Sequence, residues 1–476
     1  MSRRPNKTDP NFDPSADLSW LENPELSCWS GRCKGARSCD SKDFFDNKAT
    51  LKATFASDWE NTSGGMFLKG DQKGRAFGSK LLTAEVLRQI HSVLDAWFPM
   101  LTRVFTYYSC VGVEASGVVH AMSYLGFSTL LEEGGLIEKA DESEAGRRSR
   151  HAKPRAEDGW DLLWVAVNQS AMSKSQKEWN ANNRLTRAEF LEILVRCAID
   201  DCTRAEDMPA CVDRICEDLL SIVSELKHAG SILHQGDAFR RMYCYREEVC
   251  AVIKHHNTTL KSIFTVYASG ATVDGQTAKT GASGGLMGLD EWMDLMGDLG
   301  FVKELTPRKA YLVFAQSRMI VVDETGLMVK NGATVKNSRS QLTQLSYEGF
   351  LEAIVRVALI KGLPSDKEMR RQGFQYPGEL FGAKLDLGLV AFNEWIEYCR
   401  LKNRRGHGDP IWRRLDMLLL LIVNVMQFGV EKTEGGAALL LRGSPDEMLS
   451  FEEVKRYAAH PTTHVFETGG GSKQQT

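Results

Sequence analysis

The chain has little that would mark it as a nucleic-acid-binding, secreted or membrane protein. Its 59 basic and 62 acidic residues give a net charge of -3, and no block of lysine and arginine forms a phosphate-binding stripe. Met1–Pro5 is followed by polar residues, so no secretory hydrophobic region is evident. The longest apolar run, Leu415–Phe428, is too short to cross the ~30 Å core of a bilayer and fits a buried helix better. We therefore expect no nucleic-acid or membrane partner and a cytoplasmic location.

Cysteine motifs are also missing. The eleven cysteines are odd in number and scattered, which favours free thiols in a reducing compartment over a disulfide framework. Cys28, Cys33 and Cys39 lack the paired spacing and the fourth ligand that a zinc site usually needs.

No catalytic constellation stands out either. The glycine-rich stretch Gly70–Lys80 ends in Gly-Ser-Lys, whereas a phosphate-binding loop ends in Gly-Lys-Ser/Thr. His255 and His256 end an apolar-periodic helix without a glutamate at metalloprotease spacing, which is typical of a polar pair at a helix end. The sequence therefore predicts a protein that is not an enzyme.

What the chain does contain is an internal repeat. Phe190–Ala198 returns 160 residues later as Phe350–Ala358, with six of nine positions identical. Landmarks around this phrase recur in the same order, and Gly285–Trp292 has a weaker third counterpart in Gly388–Trp395. The paired landmarks are Phe105–Tyr108 with Phe264–Tyr267, Leu125–Phe127 with Leu299–Phe301, Leu163–Ala166 with Leu312–Ala315, and Leu185–Thr186 with Leu345–Ser346. Ordered repetition of this kind predicts three similar units, each of about 90 to 100 residues.

Within each unit, residue spacing follows that of a twelve-residue cation loop between two helices. Such a loop has glycine at position 6, an aliphatic residue at 8 and glutamate at 12, followed by an aromatic residue that opens the exit helix. The aliphatic residue pairs the two loops of a unit through a short β-bridge. The matches at positions 8, 12 and 13 are Leu185, Glu189 and Phe190; Met287, Glu291 and Trp292; Val390, Glu394 and Trp395; and Leu449, Glu453 and Val454, with Gly285 and Gly388 at position 6.

The oxygen ligands of these loops are largely missing. Calcium needs six to eight oxygens, with carboxylates concentrated at positions 1, 3 and 5. Before Glu291 these positions hold Thr280, Ala282 and Gly284, and equally poor sets precede Glu394 and Glu453. Two loops lack even the glutamate, because Gly349 precedes Phe350 and Gly117 stands where a glutamate is expected in the first loop. The sequences Ser444–Glu447 and Ser450–Glu453 indicate helix capping boxes instead.

One loop keeps oxygens at positions 1, 3, 5 and 12. They belong to Glu178, Asn180, Asn182 and Glu189. Glutamate replaces the shorter aspartate at position 1, and Lys177, Arg184 and Arg187 place like charge near a cation. We therefore expect no cofactor and no metal, with calcium at this loop as the alternative.

The pattern resembles a group of protist ciliary and flagellar proteins that are built from repeated, degenerate EF-hand pairs. Some of these are microtubule inner proteins, and the shared phrase is also faintly similar to the tubulin-polymerisation-promoting family. The resemblance covers roughly residues 85–460 and rests on Leu-Ser/Thr-x-x-x-Phe-Leu-Glu-x-x-Val-Arg-x-Ala. It implies a structural protein of the cytoskeleton, in the axoneme of a cilium or flagellum, with tubulin and other axonemal proteins as partners. A calcium-responsive sensor or adaptor is the alternative function.

We predict an all-α fold: tandem degenerate EF-hand pairs of the helix-loop-helix type, with linking helices and an extended N-terminal arm. In the arm, Trp20, Trp29 and Trp59 either belong to a disordered tail or anchor a partner. The predicted boundaries are 1–80 for the arm, 81–204 for pair 1, 205–245 for linking helices, 246–362 for pair 2, 363–462 for a divergent pair 3 and 463–476 for a flexible tail.

Overall fold

The structure is a computed structural model in which the chain divides into two compact units, each holding one copy of the repeated phrase. The first-copy unit comprises residues 37–234 and 319–343, and the second-copy unit comprises 1–36, 235–318 and 344–476. The structure describes residues 17–32, 43–64, 82–113, 119–136, 157–169, 184–202, 204–228, 236–268, 285–322, 344–404, 408–428, 430–432, 438–440 and 448–461. Over these ranges the regular structure is helical apart from one short hairpin, so the prediction of an all-α protein is confirmed.

The helices of the first-copy unit pack around one apolar core. Its longest helix, α2, begins after Thr83, whose hydroxyl accepts a hydrogen bond from the Val86 amide at 3.3 Å. The helices are α1 (Lys48–Gly64), α2 (Ala84–Ser109), α3 (Tyr124–Glu133), α4 (Glu157–Gln169), α5 (Arg187–Asp201) and α6 (Met208–His228). The α2 helix packs along α6, while α1 and α4 both pack on α5. The core is therefore centred on α2 and α5.

The second-copy unit is built around α13, which packs against α12 and α17. One π-helical turn, Arg240–Cys244, continues the short helix α7. The elements are α7 (Gly236–Phe239), α8 (Glu247–His255), α9 (Asn257–Ala268), α10 (Leu289–Asp298), α11 (Val302–Leu305), α12 (Pro307–Ser317), α13 (Tyr347–Ile360), α14 (Asp366–Gln372), α15 (Pro377–Leu385), α16 (Leu389–Arg404), α17 (Ile411–Phe428), β1 (Val430–Lys432), β2 (Ala438–Leu440) and α18 (Phe451–Ala459). β1 and β2 pair antiparallel, with Glu431 opposite Leu439.

The apolar run of the C-terminal third is a buried helix, as its interrupted pattern predicts. Leu415, Leu418 and Leu419 of α17 are fully buried, and Asn424 is buried with them. Among the helices that the structure describes, none combines the length and apolar character needed to cross a bilayer.

Equivalent side chains make equivalent contacts in the two units, so the repeat in the sequence is also a repeat in packing. The Tyr267 hydroxyl donates to Asp298 Oδ2 at 2.7 Å, and the Tyr108 hydroxyl donates to Glu133 in the same way. In both units a tyrosine near the end of one helix thereby fixes the end of the next helix.

The aromatic residue that opens each exit helix also repeats its contact. Phe190 of α5 lies 5.7 Å from Phe105 between ring centroids, and Phe350 of α13 lies 5.4 Å from Phe264. Tilted aromatic contacts of this kind contribute beyond the area that they bury. In both copies an equivalent aromatic pair therefore packs the exit helix against the preceding helix.

The units do not follow the predicted boundaries. The α6 helix, predicted as part of a linker at 205–245, packs along α2 within the first-copy unit. The predicted pair 3, at 363–462, shares one compact unit with pair 2, because α17 packs on α13 and α18 packs on α9. Because α17 has apolar residues on several faces, it must be buried among neighbouring helices. Helices of pair 2 contribute to that burial, so pair 3 does not form a separate unit. The predicted tail at 463–476 lies outside the described residues.

The N-terminal 80 residues are not a uniformly extended arm where the structure describes them. Residues 48–64 form α1, and residues 17–32 form a 3-10 turn followed by tight turns. Trp29 is fully buried within the second-copy unit, and Trp59 packs against the core of the first-copy unit. These two tryptophans therefore anchor segments of the chain to itself, because each finds apolar partners within its own unit.

The expectation that all cysteines are free thiols is wrong at one pair. Cys202 and Cys211 form a disulfide between the end of α5 and the start of α6. The spacing of this pair matches no cysteine motif, and the two residues meet because the end of α5 and the start of α6 lie close together.

Candidate functional site

In the first-copy unit the paired loops meet at a β-bridge between Met122 and Leu185. The Met122 amide donates to the Leu185 carbonyl at 2.8 Å, and the Leu185 amide donates back to Met122 at 2.9 Å. Both side chains are completely buried. Leu185 is one of the aliphatic residues that the sequence assigns to loop position 8, and this bridge fixes α3 and α5 at their first turns.

The second-copy unit contains the same bridge between Met287 and Leu345. Their amides and carbonyls exchange hydrogen bonds of 2.9 and 2.8 Å. Gly285, two residues before Met287, has a φ of 64°, a left-handed conformation that glycine adopts without steric cost. Position 6 of this loop therefore has the backbone geometry that its glycine predicts.

The glutamates at loop position 12 act as helix caps. Glu189 accepts a hydrogen bond from the Thr186 amide at 2.7 Å, and Glu291 accepts one from the Gly288 amide at 2.5 Å. Burial raises the pKa of the Glu291 carboxyl, and this amide opposes the rise. One oxygen of each carboxylate is therefore committed to the N-terminus of its own helix. The same box forms between Ser450 and Glu453, as predicted, whereas 444–447 lies outside the described residues.

The partner loop of each pair has glycine at position 12. The Met122 bridge places this position at Gly126 and corrects the assignment to Gly117, which lies outside the described residues. A Cβ atom on Gly126 would run into the carbonyl oxygen of Tyr108, and one on Gly349 would lie 3.3 Å from that of Ser317. The end of the preceding helix thus blocks a side chain at Gly126 and crowds one at Gly349.

This register also corrects one landmark of the repeat. Leu125–Phe127 lies at the start of α3, whereas Leu299–Phe301 follows the end of α10. Met122 and Met287 occupy the same place in the two bridges, so Phe127 corresponds to Trp292. The two Leu-Gly-Phe segments are identical in sequence but differ in structure, because Gly126 lies inside a helix and Gly300 follows one.

Three of the four candidate calcium ligands, Glu178, Asn180 and Asn182, lie outside the described residues. The fourth, Glu189, is buried and caps α5. Within the described part of the chain, no group of three or more histidine, cysteine, aspartate or glutamate residues is arranged to hold a metal ion.

The third predicted pair does not have this geometry. The predicted loop that ends at Glu394 begins inside α15, and only Asp386, Leu387 and Gly388 separate α15 from α16. Val390, the predicted bridge residue, is 74% exposed in the first turn of α16. Its expected partner, Leu449, is buried, and its amide donates to Thr259 Oγ1 at 2.9 Å. A connection of three residues is too short for a twelve-residue loop, so the prediction of a loop here is wrong.

Each exit helix is covered by a segment from the N-terminal part of the chain. In the first-copy unit this segment is α1, which packs on α5. The buried Arg187 guanidinium of α5 forms an ion pair with Asp58 of α1, including a contact of 3.2 Å from Nη2 to Oδ1. Beside it, the Thr62 hydroxyl donates to the Ala188 carbonyl at 3.0 Å. The buried pair fixes α1 in one position along α5.

In the second-copy unit the covering segment is 17–32, and its last residue reaches a buried cluster of charge. Arg32 Nη2 lies 2.6 Å from Glu352 Oε2, and Arg240 Nε lies 3.0 Å from the same oxygen. Arg356 Nη2 contacts the other oxygen at 2.6 Å. We call Arg32, Arg240, Arg356 and Glu352 the arginine cluster.

The cluster keeps its single carboxylate ionised. Burial alone would raise the pKa of Glu352, but Arg240, Arg32 and Arg356 more than offset it and lower the pKa to about 2. The guanidinium of Arg356 also stacks over the Phe239 ring, 3.8 Å from its centroid. The cluster thus joins the N-terminal segment, the π turn and α13 at one buried point.

In the first copy of the repeated phrase the corresponding pair is Glu192 with Arg196. Arg196 Nη2 lies 2.6 Å from Glu192 Oε1, and both side chains retain some exposure. Burial raises the pKa of Glu192 despite Arg196, opposite to the shift at Glu352. Identical residues in the two copies therefore have different electrostatic roles, because different segments cover α5 and α13.

The two histidines at the end of α8 also have structural roles. His256 is buried and lies 3.0 Å from Asp416 Oδ1 of α17, measured from Nε2. The His255 ring packs edge-on against it, with centroids 4.8 Å apart. This geometry joins α8 to α17, in agreement with the prediction of a polar pair at a helix end.

Comparisons with protein-family models, with curated proteins and with solved structures return no match to this chain.

Proposed function

We propose that this protein is a non-enzymatic structural component of a ciliary or flagellar axoneme. In this proposal its helix-loop-helix pairs are degenerate EF-hands that bind tubulin within the doublet microtubule rather than calcium. The observation that carries the structural role is the close packing at Gly126 and Gly349, where the end of a preceding helix lies against the position that a metal-ligating glutamate would occupy.

The bridge geometry supports EF-hand-like pairs. Met122 with Leu185, and Met287 with Leu345, connect the two loops of each pair through backbone hydrogen bonds, and Leu185 and Met287 are residues that the sequence assigns to such a contact. Each pair then combines one capping glutamate with one glycine. In this proposal such a pair has the fold of a calcium-binding module without the carboxylate ligands that bind the ion.

The covered exit helices support a rigid role. Calcium sensors respond by opening a helix pair and exposing an apolar groove. Here α1 covers α5, and segment 17–32 covers the start of α13, each through a buried ion pair. Opening either pair would separate charges from buried partners, which is strongly unfavourable. Modules of this kind suit a fixed place in a lattice.

Tubulin and the axoneme enter the proposal through the resemblance of the repeated phrase to axonemal proteins. The test is fractionation of a tagged full-length chain in ciliated cells. After detergent extraction and a high-salt wash, we expect the protein to remain with the doublet microtubules, since salt screens exposed charges more than buried contacts. Release into the cytosol or the detergent-soluble fraction would refute the axonemal role.

A calcium titration of the full-length chain separates this proposal from a sensor or adaptor. We expect no saturable heat at micromolar calcium, where sensors bind with dissociation constants of about 10⁻⁷ to 10⁻⁵ M. Saturable binding that Glu178→Gln abolishes would instead establish the loop from Glu178 to Glu189 as a sensor site.

A further inference from the structure

Segment 17–32 brings two thiols together that lie far apart in the sequence. The Cys28 amide donates to Cys250 Sγ of α8 at 3.0 Å, which places the two cysteine side chains next to each other. The Cys250 thiol also lies 3.4 Å from the Leu26 carbonyl. The turn at 26–28 therefore surrounds the sulfur of Cys250 with backbone groups.

Buried contacts on either side of Cys28 hold this arrangement in place. Trp29 packs edge-on against Tyr245, with ring centroids 5.6 Å apart, and Arg32 enters the arginine cluster. Leu21 is fully buried at the other end of the segment. The thiols are thus held in contact by packing, and neither has to be ordered when they react.

The local electrostatics favour one thiolate in this pair. The hydrogen bond from the Cys28 thiol, together with the Cys28 amide and Lys254, lowers the pKa of Cys250 against the effect of burial. Burial and the proximity of Cys250 raise the pKa of Cys28. Cys28 therefore holds its proton more tightly than Cys250 does, and this asymmetry is also found in other reactive dithiols.

The remaining free thiols of the second-copy unit are in different environments. Burial raises the pKa of Cys244, which lies near Glu352, and the pKa of Cys399, which lies near Glu368. Both are buried, whereas Cys28 is partly exposed. Among the free thiols that the structure describes in this unit, Cys28 is the one that a small molecule can reach from solvent.

We propose that Cys28 and Cys250 form a redox-sensitive dithiol. A small disulfide of the glutathione disulfide class oxidises it to an intrachain disulfide, which staples segment 17–32 to α8. The hydrogen bond from the Cys28 amide to Cys250 Sγ and the partial exposure of Cys28 carry this inference, and it does not depend on the axonemal role.

The reaction is a thiol–disulfide exchange in two steps. The Cys250 thiolate accepts the proton of the Cys28 thiol while the Cys28 sulfur attacks one sulfur of the small disulfide, which forms a mixed disulfide and releases one thiolate. That thiolate takes the proton of Cys250. The Cys250 thiolate then attacks the Cys28 sulfur and releases the second small thiolate, which is protonated by water. Two protein thiols are oxidised and one small disulfide is reduced to two thiols.

The first test maps disulfides in the full-length chain after equilibration with mixtures of oxidised and reduced glutathione at pH 7.5. Free thiols are alkylated, and non-reduced peptides are identified by mass spectrometry. We expect a peptide that links Cys28 to Cys250, formed on oxidation and lost with excess reduced glutathione. Free Cys28 and Cys250 throughout, or a glutathione adduct at Cys28 that never resolves, would overturn the proposal.

The second test measures whether the disulfide holds the segment in place. Amide hydrogen exchange over 17–32 should slow by about tenfold or more on oxidation, because a cross-link suppresses opening of the segment. Cys28→Ser should abolish this change, whereas Cys399→Ser, a matched variant that removes a thiol elsewhere in the unit, should retain it. Equal exchange in both redox states, with the linked peptide present, would show that the bond does not act as a staple.

Discussion

Arg32 and Glu352, 320 residues apart in the chain, form an ion pair of 2.6 Å in which neither side chain is more than 3% exposed. A contact over this sequence distance requires the segment at 17–32 to be part of the core of its unit. The N-terminal segment therefore contributes to the folding of the second copy of the repeat.

Removing the negative charge from the arginine cluster should destabilise the second-copy unit strongly. In Glu352→Gln three buried guanidinium groups lose their shared counter-charge, and we expect a loss of about 3 to 5 kcal/mol. Hydrogen exchange of the slowest α13 amides measures this free energy. Glu192→Gln in α5 is the matched control, and we expect about 1 kcal/mol or less there, because that pair is part-exposed and burial already opposes its ionisation. Equal effects in the two copies would contradict the role assigned to the cluster.

Acid should weaken the same unit over a defined range of pH. The pKa of Glu352 is about 2 in the folded chain and about 4.3 when unfolded. Its stabilisation is therefore complete above about pH 4.3 and is lost as the pH falls towards 2, by about 3 kcal/mol. The stability difference between the wild type and Glu352→Gln should shrink accordingly between pH 5 and pH 2 in denaturant titrations. A difference that stays constant with pH would show that Glu352 titrates normally.

A methyl group at Gly126 should disrupt the first-copy unit. In Gly126→Ala the new Cβ meets the Tyr108 carbonyl, and forcing the helices apart should cost about 1 to 3 kcal/mol. Gly297→Ala is the matched control, since Gly297 lies in α10 with open space around it. Alanine should stabilise that helix by about 0.5 to 1 kcal/mol. Hydrogen exchange of α3 and α10 would record opposite signs, and destabilisation by both variants would contradict the packing at Gly126.

Proline should distinguish the true loop bridge from the predicted one. Met287→Pro removes the amide that bonds to Leu345, so a buried carbonyl loses its partner at a cost of about 1 to 3 kcal/mol. Met287→Leu keeps the amide and the volume and should cost under about 1.5 kcal/mol.

Val390→Pro is the second control, because the first turn of a helix tolerates proline. Thermal unfolding followed by circular dichroism should show a clear drop in midpoint for Met287→Pro alone. A comparable drop for Val390→Pro would restore the predicted third loop.

The sequence by itself determined the helical class, the repeat and several local features. Ser450 and Glu453 form the capping box that their spacing predicts, and Leu185 and Met287 form the bridges. These features depend on residues close in the chain, on the period of apolar residues and on strict positions within a loop. Such information is present in the order of the residues alone.

The tertiary structure decided what the repeated residues do. Glu192 and Glu352 stand at the same place in one phrase, yet the pKa of one is raised and that of the other is lowered. The difference arises because Arg240 from the π turn and Arg32 from the N-terminal segment approach Glu352, contacts that no local pattern encodes. The register of Gly126, the disulfide of Cys202 and the approach of Cys28 to Cys250 likewise depend on which surfaces meet when the chain folds.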